Sequence, residues 1–252
     1  MAQVTVSNKV KEPAHPSSGA CGLSLADMQR EMELLGYVTS HNLQSPLRAI
    51  LSCCEEIARQ PGVRTKNVSI ENMDLLASES LRLKEMMRLM VEYIQLETHR
   101  VSFADVNLSE VIDTVRTMLA AEIDQSGARI ECDELPTVYG HHGRITRLFA
   151  YIIENAIKFH GSMPCIIRVS AKNQEDVCEI SITDNGIGIA KDNQDIIFKL
   201  FKRLHTAEEY PGYGAGLSLA QKIVRSHGGM IGVESTEGHG SRFYFTLPKT
   251  NI

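Results

Sequence analysis

The chain has 252 residues, enough for one large domain or two modest ones, each with its own core. Hydrophobic residues at 43% and charged residues at 23% describe a soluble globular protein, and a formal charge of -5 argues against a general nucleic-acid or membrane-surface binder. Apolar runs stay well below the ~20 residues that span a bilayer, so a cytoplasmic protein, or a soluble piece of something larger, is expected. Cysteines 21, 53, 54, 132, 165 and 178 form no CxxC pair, which fits free thiols in a reducing compartment better than a disulfide framework or a zinc site.

Residues 1–23 carry Pro13, Pro16, Ser17, Ser18 and Gly19 without periodicity and read as a flexible tail or linker. From Ser24 a helical pattern begins, with Ser24 or Asp27 as cap. Met28, Met32, Leu35, Val38, Leu43, Leu47, Ile50, Leu51 and Ile57 recur at helical spacing up to Gln60-Pro61-Gly62, and Pro46 is expected to bend the helix. A second pattern runs through Ile70, Met73, Leu76, Leu81, Leu83, Met87, Met90, Ile94 and Leu96. Two such helices of roughly 30 residues make an antiparallel hairpin, and one hairpin is a poor core. Two hairpins from separate chains give a four-helix bundle, so a homodimer is expected. The methionines at 28, 32, 73, 86, 87 and 90 read as core filling.

Past about residue 102 the pattern changes. Residues 106–121 are predicted helical, capped by Asn107 or Ser109, and 130–132 form a short strand. Residues 145–159 are helical, 166–171 and 177–183 are strands, 217–226 are helical, and 231–235 and 241–247 are strands. Helices mixed with hairpin-joined strands predict a two-layer α/β sandwich. The chain is thus expected to be multidomain, with an all-α part at 24–101 and an α/β part at 102–252.

Two glycine clusters carry chemistry. Asp184-Asn185-Gly186-Ile187-Gly188-Ile189 follows a strand, and Gly212-Tyr213-Gly214-Ala215-Gly216-Leu217 leads into a helix. Each alone is either a pair of tight turns or a backbone cradle for phosphate oxygens at a helix N-terminus. The lysine of a P-loop is missing, and no strand precedes the second cluster as a dinucleotide fold requires, so the pair points to another nucleotide fold. Between them lie Phe198, Lys199, Phe201, Lys202, Arg203 and His205, either a surface loop with an aromatic anchor or a lid whose cations meet phosphates.

These clusters, with His41-Asn42-Leu43-Gln44-Ser45-Pro46-Leu47-Arg48, resemble the motifs of the two-component sensor histidine kinases. The ATP domain of that family shares its fold with DNA gyrase, Hsp90 and MutL. Phe201-Lys202-Arg203-Leu204-His205 and Glu209-Tyr210-Pro211-Gly212 look most like the branch found behind phytochromes and PAS/GAF sensors. The resemblance implies ATP and Mg2+ as cofactors and His41 as phosphoacceptor, with Arg48 in the same motif. It further implies Asn155 as the metal-coordinating residue, with Glu154 adjacent, and Lys158 as a phosphate-contacting base. Asp184 would accept from the adenine amino group, in a pocket shaped by Gly186 and Gly188. Gly212, Gly214, Gly216 and Leu217 would lie against the triphosphate. Phe198 and Phe201 would form the lid's aromatic box, Lys202, Arg203 and His205 would neighbour the phosphates, and Thr246 would lie on a closing strand. A response-regulator receiver domain is the implied partner, and a sensor module would lie outside this sequence.

Four positions depart from the family pattern. Asn42 stands where Glu or Asp is usual; it cannot act as a base but can orient the imidazole, so slower autophosphorylation is expected. Ser45 is shorter than the Thr or Asn of members that also dephosphorylate their partner. Tyr151 replaces the first Asn of the Asn-x-x-x-Asn box, and His141 replaces an acid. The alternatives to an autokinase are an ATP-binding pseudokinase acting as a dimeric scaffold and an ATPase of the gyrase and Hsp90 group; the His41 motif on a hairpin counts against the last.

Overall fold

The computed structural model describes residues 42–55, 70–98, 101–206 and 208–250. Residues 42–55 are helical (α1), and α2 spans Ile70–Thr98. There follow β1 (Ala104–Asn107), α3 (Leu108–Met118), α4 (Ala120–Ser126), β2 (Arg129–Cys132), β3 (Thr137–Gly140) and α5 (His142–Lys158). Then come β4 (Ile166–Asn173), β5 (Val177–Asp184), α6 (Gly216–Ser226), β6 (Ile231–Ser235) and β7 (Ser241–Pro248).

The main sheet has the order β2-β4-β5-β7-β6, parallel only between β2 and β4. Side chains alternate across it. Ile167, Val169, Cys178, Ile180, Ile182, Phe243, Phe245 and Leu247 point to a buried face. On the other face Arg242 bonds to Glu179, Ser181 and Glu234, a polar row that leaves that side to water. The helices α3, α5 and α6 cover the buried face, which makes the two-layer α/β arrangement. Central to it is α5, whose Ile145, Leu148, Phe149, Ile152, Ile153, Ala156 and Ile157 repeat by threes and fours and are buried. Phe149 meets Phe245 edge-on at 5.4 Å.

The helix expected over 106–121 is corrected. Residues 104–107 pair antiparallel with 137–140 as a small second sheet, Val106 opposite Val138. The helix starts only at Leu108, where Asn107 Oδ1 accepts the Ser109 N–H at 2.9 Å. It breaks at Leu119 and resumes as α4, which ends at Gly127 in the left-handed conformation. Strands of four residues with one or two buried side chains leave too short an alternation to separate from a helix start.

Of the methionines expected as core, Met86 is buried and Met90 partly so, whereas Met73 and Met87 are exposed; positions 28 and 32 lie outside the described residues. Met86, Leu89 and Leu96 of α2 join the same apolar cluster as the α/β layer, and Leu43 of α1 packs against it. Lys222 of α6, itself buried, sets its ammonium 4.0 Å over the ring of Tyr93.

Candidate functional site

While one face of α5 feeds the core, Tyr151, Asn155 and Lys158 project from another, one turn apart or nearly so. They form the floor of a cavity of about 340 Å³, the size of a small-ligand site. Asp184 stands at the end of β5, where the strand empties into the first glycine cluster. Its Oδ1 accepts the Gly186 N–H at 2.8 Å and the Ser241 N–H at 3.2 Å. Burial pushes its pKa up, and the two N–H bonds oppose that. Both bonds fall on Oδ1 and Asp184 lines the cavity, so its second oxygen is the one left to accept from a ligand. Gly188, at φ 71°, must be glycine: a Cβ there would run into the Thr236 carbonyl.

The second cluster closes the other side. Lys158 Nζ lies 2.9 Å from where a Cβ on Gly212 would stand, and Tyr151 Cδ1 lies 3.4 Å from the same point on Gly216. The backbone of residues 212–216, which leads into α6, thus lies against the 151–158 stretch of α5 at the cavity. The Lys158 ammonium sits 4.6 Å from the Phe159 ring centre; burial first, then the Arg203 charge, lowers its pKa. An anion placed there would relieve that strain, so the site suits a phosphate group.

Among the residues expected at a nucleotide site, Asn155, Lys158, Asp184, Gly188, Lys202, Arg203, His205, Gly212, Gly214, Gly216 and Leu217 line this single cavity. Gly186 lies just behind it, on Asp184. Phe198 and Phe201 do not line it. Both pack on the apolar core at the root of the segment between the clusters, and Phe201 holds a left-handed backbone at φ 59°. Arg203 donates to the Thr206 and Tyr210 carbonyls, so it braces that segment as well as facing the cavity. Phe159, His205 and Tyr210 make a ring cluster beside it, with Phe159 and Tyr210 4.8 Å apart. Thr246, on β7, accepts the Met230 N–H.

Asn42 and Arg48 lie on α1, away from the cavity; Arg48 donates back to the Gln44 carbonyl, and His41 is outside the described residues. His141 is neither acid nor metal ligand here but the α5 cap, its Nδ1 accepting the Arg144 N–H at 3.1 Å. Among the described residues no group of three or more His, Cys, Asp or Glu is placed to hold a metal. Asn155, partly exposed on the cavity floor, offers the amide oxygen that Mg2+ can take alongside phosphate oxygens and waters.

Two features escaped the sequence. Glu85, Arg88 and Leu89 of α2 also line the cavity. And Tyr151, noted only as a departure, donates its hydroxyl to Glu92 of α2 at 2.7 Å; burial, then that bond, pushes its pKa up. Their only trace in the sequence is the Glu85, Arg88, Glu92 spacing, which looks like ordinary helix-surface pairing.

Residues 140–251 match the family described as Histidine kinase-, DNA gyrase B-, and HSP90-like ATPase. Over 221 residues the chain is 30% identical to the phytochrome-like protein Cph1 of Synechocystis, covering 88% of this chain and 30% of that protein. It is 28% identical over 241 residues to the adaptive-response sensory kinase SasA of Synechococcus elongatus, covering 89% of this chain and 61% of that protein. Residues 140–251 thus match that ATPase family, and over most of its length the chain is similar to sensory kinases such as SasA. It spans less than two thirds of the length of these kinase relatives. The catalytic domain of histidine kinase ThkA superposes with a TM-score of 0.52 at 27% identity, over 60% of this chain and 97% of that one. ThkA in complex with the response regulator TrrA superposes at 0.64 and 23% identity, over 89% of this chain and 65% of that one, a likeness of fold. The family match begins at the last residue of β3 and takes in every wall of the cavity except α2.

Proposed function

We propose that this chain is an ATP-dependent autokinase that phosphorylates His41 and passes the phosphoryl group to an aspartate of a response regulator. The observation that carries the reading is the convergence of Asp184, Asn155, Lys158 and both glycine clusters on one cavity. Asp184 would select the amino-bearing purine, the α6 amides and Lys158 would hold the phosphates, and Asn155 would supply an oxygen to Mg2+. Bound ATP-Mg2+ supplies the transferable phosphoryl group; the cations around it offset the charge that develops on transfer. A neutral imidazole at His41 is nucleophilic near pH 7, and Asn42 would orient it without removing its proton.

The same reading makes 24–101 a dimerisation and phosphotransfer unit, 102–252 the ATP-binding unit, and the pair of hairpins a four-helix bundle. On α2 the positions 73, 77, 80, 84, 87, 91 and 94 follow a strict heptad and all are exposed in the single chain. Met73, Met87, Val91 and Ile94 on that line are the kind of surface a second copy covers. The kinship with ThkA, whose complex holds a response regulator, supports that class of partner.

Incubated with Mg2+ and radiolabelled ATP, the protein should take up an acid-labile, alkali-stable label that His41→Gln and Asn155→Ala lose. Label persisting in His41→Gln would remove His41 as acceptor. Tight ATP binding with no label would favour a dimeric scaffold instead, a reading to which Tyr151 lends weight because its hydroxyl is committed to Glu92.

A further inference from the structure

The wall that α2 contributes to the cavity is charged, and the charges can be located along it. On α5, Tyr151 stands about 10 Å from Lys158 along the helix axis, seven residues at the usual rise. Lys158 leads on to Phe159, whose carbonyl oxygen lies 2.5 Å from where a Cβ on Gly186 would stand, close to Asp184. Tyr151 marks the opposite end, with its ring against Gly216 and its hydroxyl on Glu92 Oε1. Glu92 Oε2 receives Arg147 at 2.8 Å and Arg88 at 3.2 Å. Arg88 therefore stands beside Tyr151 and Gly216 at the α6 end of the cavity, where a nucleotide held by Asp184 would extend its phosphates past Lys158.

Most of the Arg88 guanidinium is turned to Glu85: Nε lies 2.9 Å from both carboxylate oxygens and Nη2 lies 2.6 Å from one. The bond to Glu85 raises the Arg88 pKa further, so its charge is permanent. Both side chains are substantially exposed, 49% and 35%, and exposed pairs of this kind are weak and readily exchanged. A polyphosphate offers the same fork geometry with more charge. Glu92, by contrast, is only 12% exposed and keeps Arg147 and Tyr151 when Arg88 turns away.

We propose that Arg88 of α2 is a phosphate-contacting residue of this nucleotide site, held by Glu85 until a nucleoside triphosphate takes it over. The proposal rests on the reading of the cavity as an ATP site. It assigns the phosphate end a residue from outside the ATPase family match, and it makes Glu85 an internal competitor for the ligand. Removing the competitor should tighten ATP; removing the arginine should weaken it. Neither change should matter much to AMP, whose single phosphate stops short of α2.

The test is a calorimetric or competition titration of the full chain with ATP and with AMP, on wild type, Arg88→Gln, Arg88→Lys and Glu85→Gln. In Arg88→Gln the ATP dissociation constant should rise about tenfold more than that of AMP, and Arg88→Lys should recover part of it. Glu85→Gln should tighten ATP relative to AMP severalfold, an effect that fades with added salt. Equal shifts for the two nucleotides in Arg88→Gln would mean a strut in the α2–α5 contact and would overturn the proposal alone. So would an unchanged ATP-to-AMP ratio in Glu85→Gln. Wild-type protein that binds neither nucleotide would overturn the ATP reading itself.

Discussion

His227 is 5% exposed and has both ring nitrogens engaged. Nδ1 lies 2.8 Å from the Ile223 carbonyl and must donate to it, so Nε2 is the acceptor for the His141 N–H at 3.1 Å. Phe103 stacks on the ring at 4.6 Å, and a Cβ on Gly140 would strike it. Burial first, then the charges of Arg144 and His141, lowers its pKa, while the Ile223 bond opposes them. The folded state therefore binds this proton less readily than the unfolded chain, whose imidazole titrates near about 6.5. The stability from neutral His227 is complete above that value and is lost as pH falls toward the lower folded pKa. Denaturant midpoints measured at about pH 7.5 and pH 5.5 should drop on acidification in wild type, and the drop should shrink in His227→Gln. An equal drop in both proteins would assign the acid sensitivity to other groups. At this scale the sequence was informative where a residue acts through its neighbours in the chain: Asp184 and Asn155 stood out because a strand or helix delivers them to glycines. His227 gave no such signal, since beyond Ile223 one turn back its partners are His141 at the cap of α5, Gly140 of β3 and Phe103 before β1.

Among the elements, α5 and α2 divide their faces differently. Three cavity-lining positions on α5 lie away from a continuous apolar face, and that amphipathic pattern is legible. On α2, apolar residues surround most of the helix: Met86, Leu89 and Leu96 meet the α/β layer, while the heptad line through Met73, Met87, Val91 and Ile94 is open. Periodicity alone could not say which apolar row faces which neighbour, so a single stripe was expected where there are two. Charging the open row separates them. Met87→Glu with Val91→Glu should convert the proposed dimer to a monomer by sedimentation, with the helical content of the α/β layer kept, because neither side chain belongs to that layer's apolar cluster. A double variant that stays dimeric would place the second copy elsewhere. β1 and β3 were missed for a related reason: each is only four residues long, and what stabilises them is the pairing of distant segments rather than a local pattern.

At the scale of the molecule, the α/β layer and α2 are joined by Tyr151 and Arg147 on Glu92, by Lys222 on Tyr93 and by three buried apolar side chains. A contact of this mixed kind is typical of surfaces that part and rejoin. A ligand touching both sides should fasten them, since whatever binds the joined state stabilises it by mass action. Calorimetric melting with saturating ATP should raise the temperature of every transition that involves α2, and in Glu92→Ala that coupling should weaken. Equal elevation in both proteins would mean the nucleotide stabilises the ATPase layer alone.

The wall contributed by α2 also bears on how compounds against this protein are found. A screen run on residues 102–252 by themselves would offer a trough with one side missing, and its hits would be chosen for grip on Asp184 and the glycine loops. Chemotypes that reach past Tyr151 toward Glu85 and Arg88 would score poorly there and well on the full chain. That reversal of rank is the practical signature of a pocket shared between two parts of one molecule.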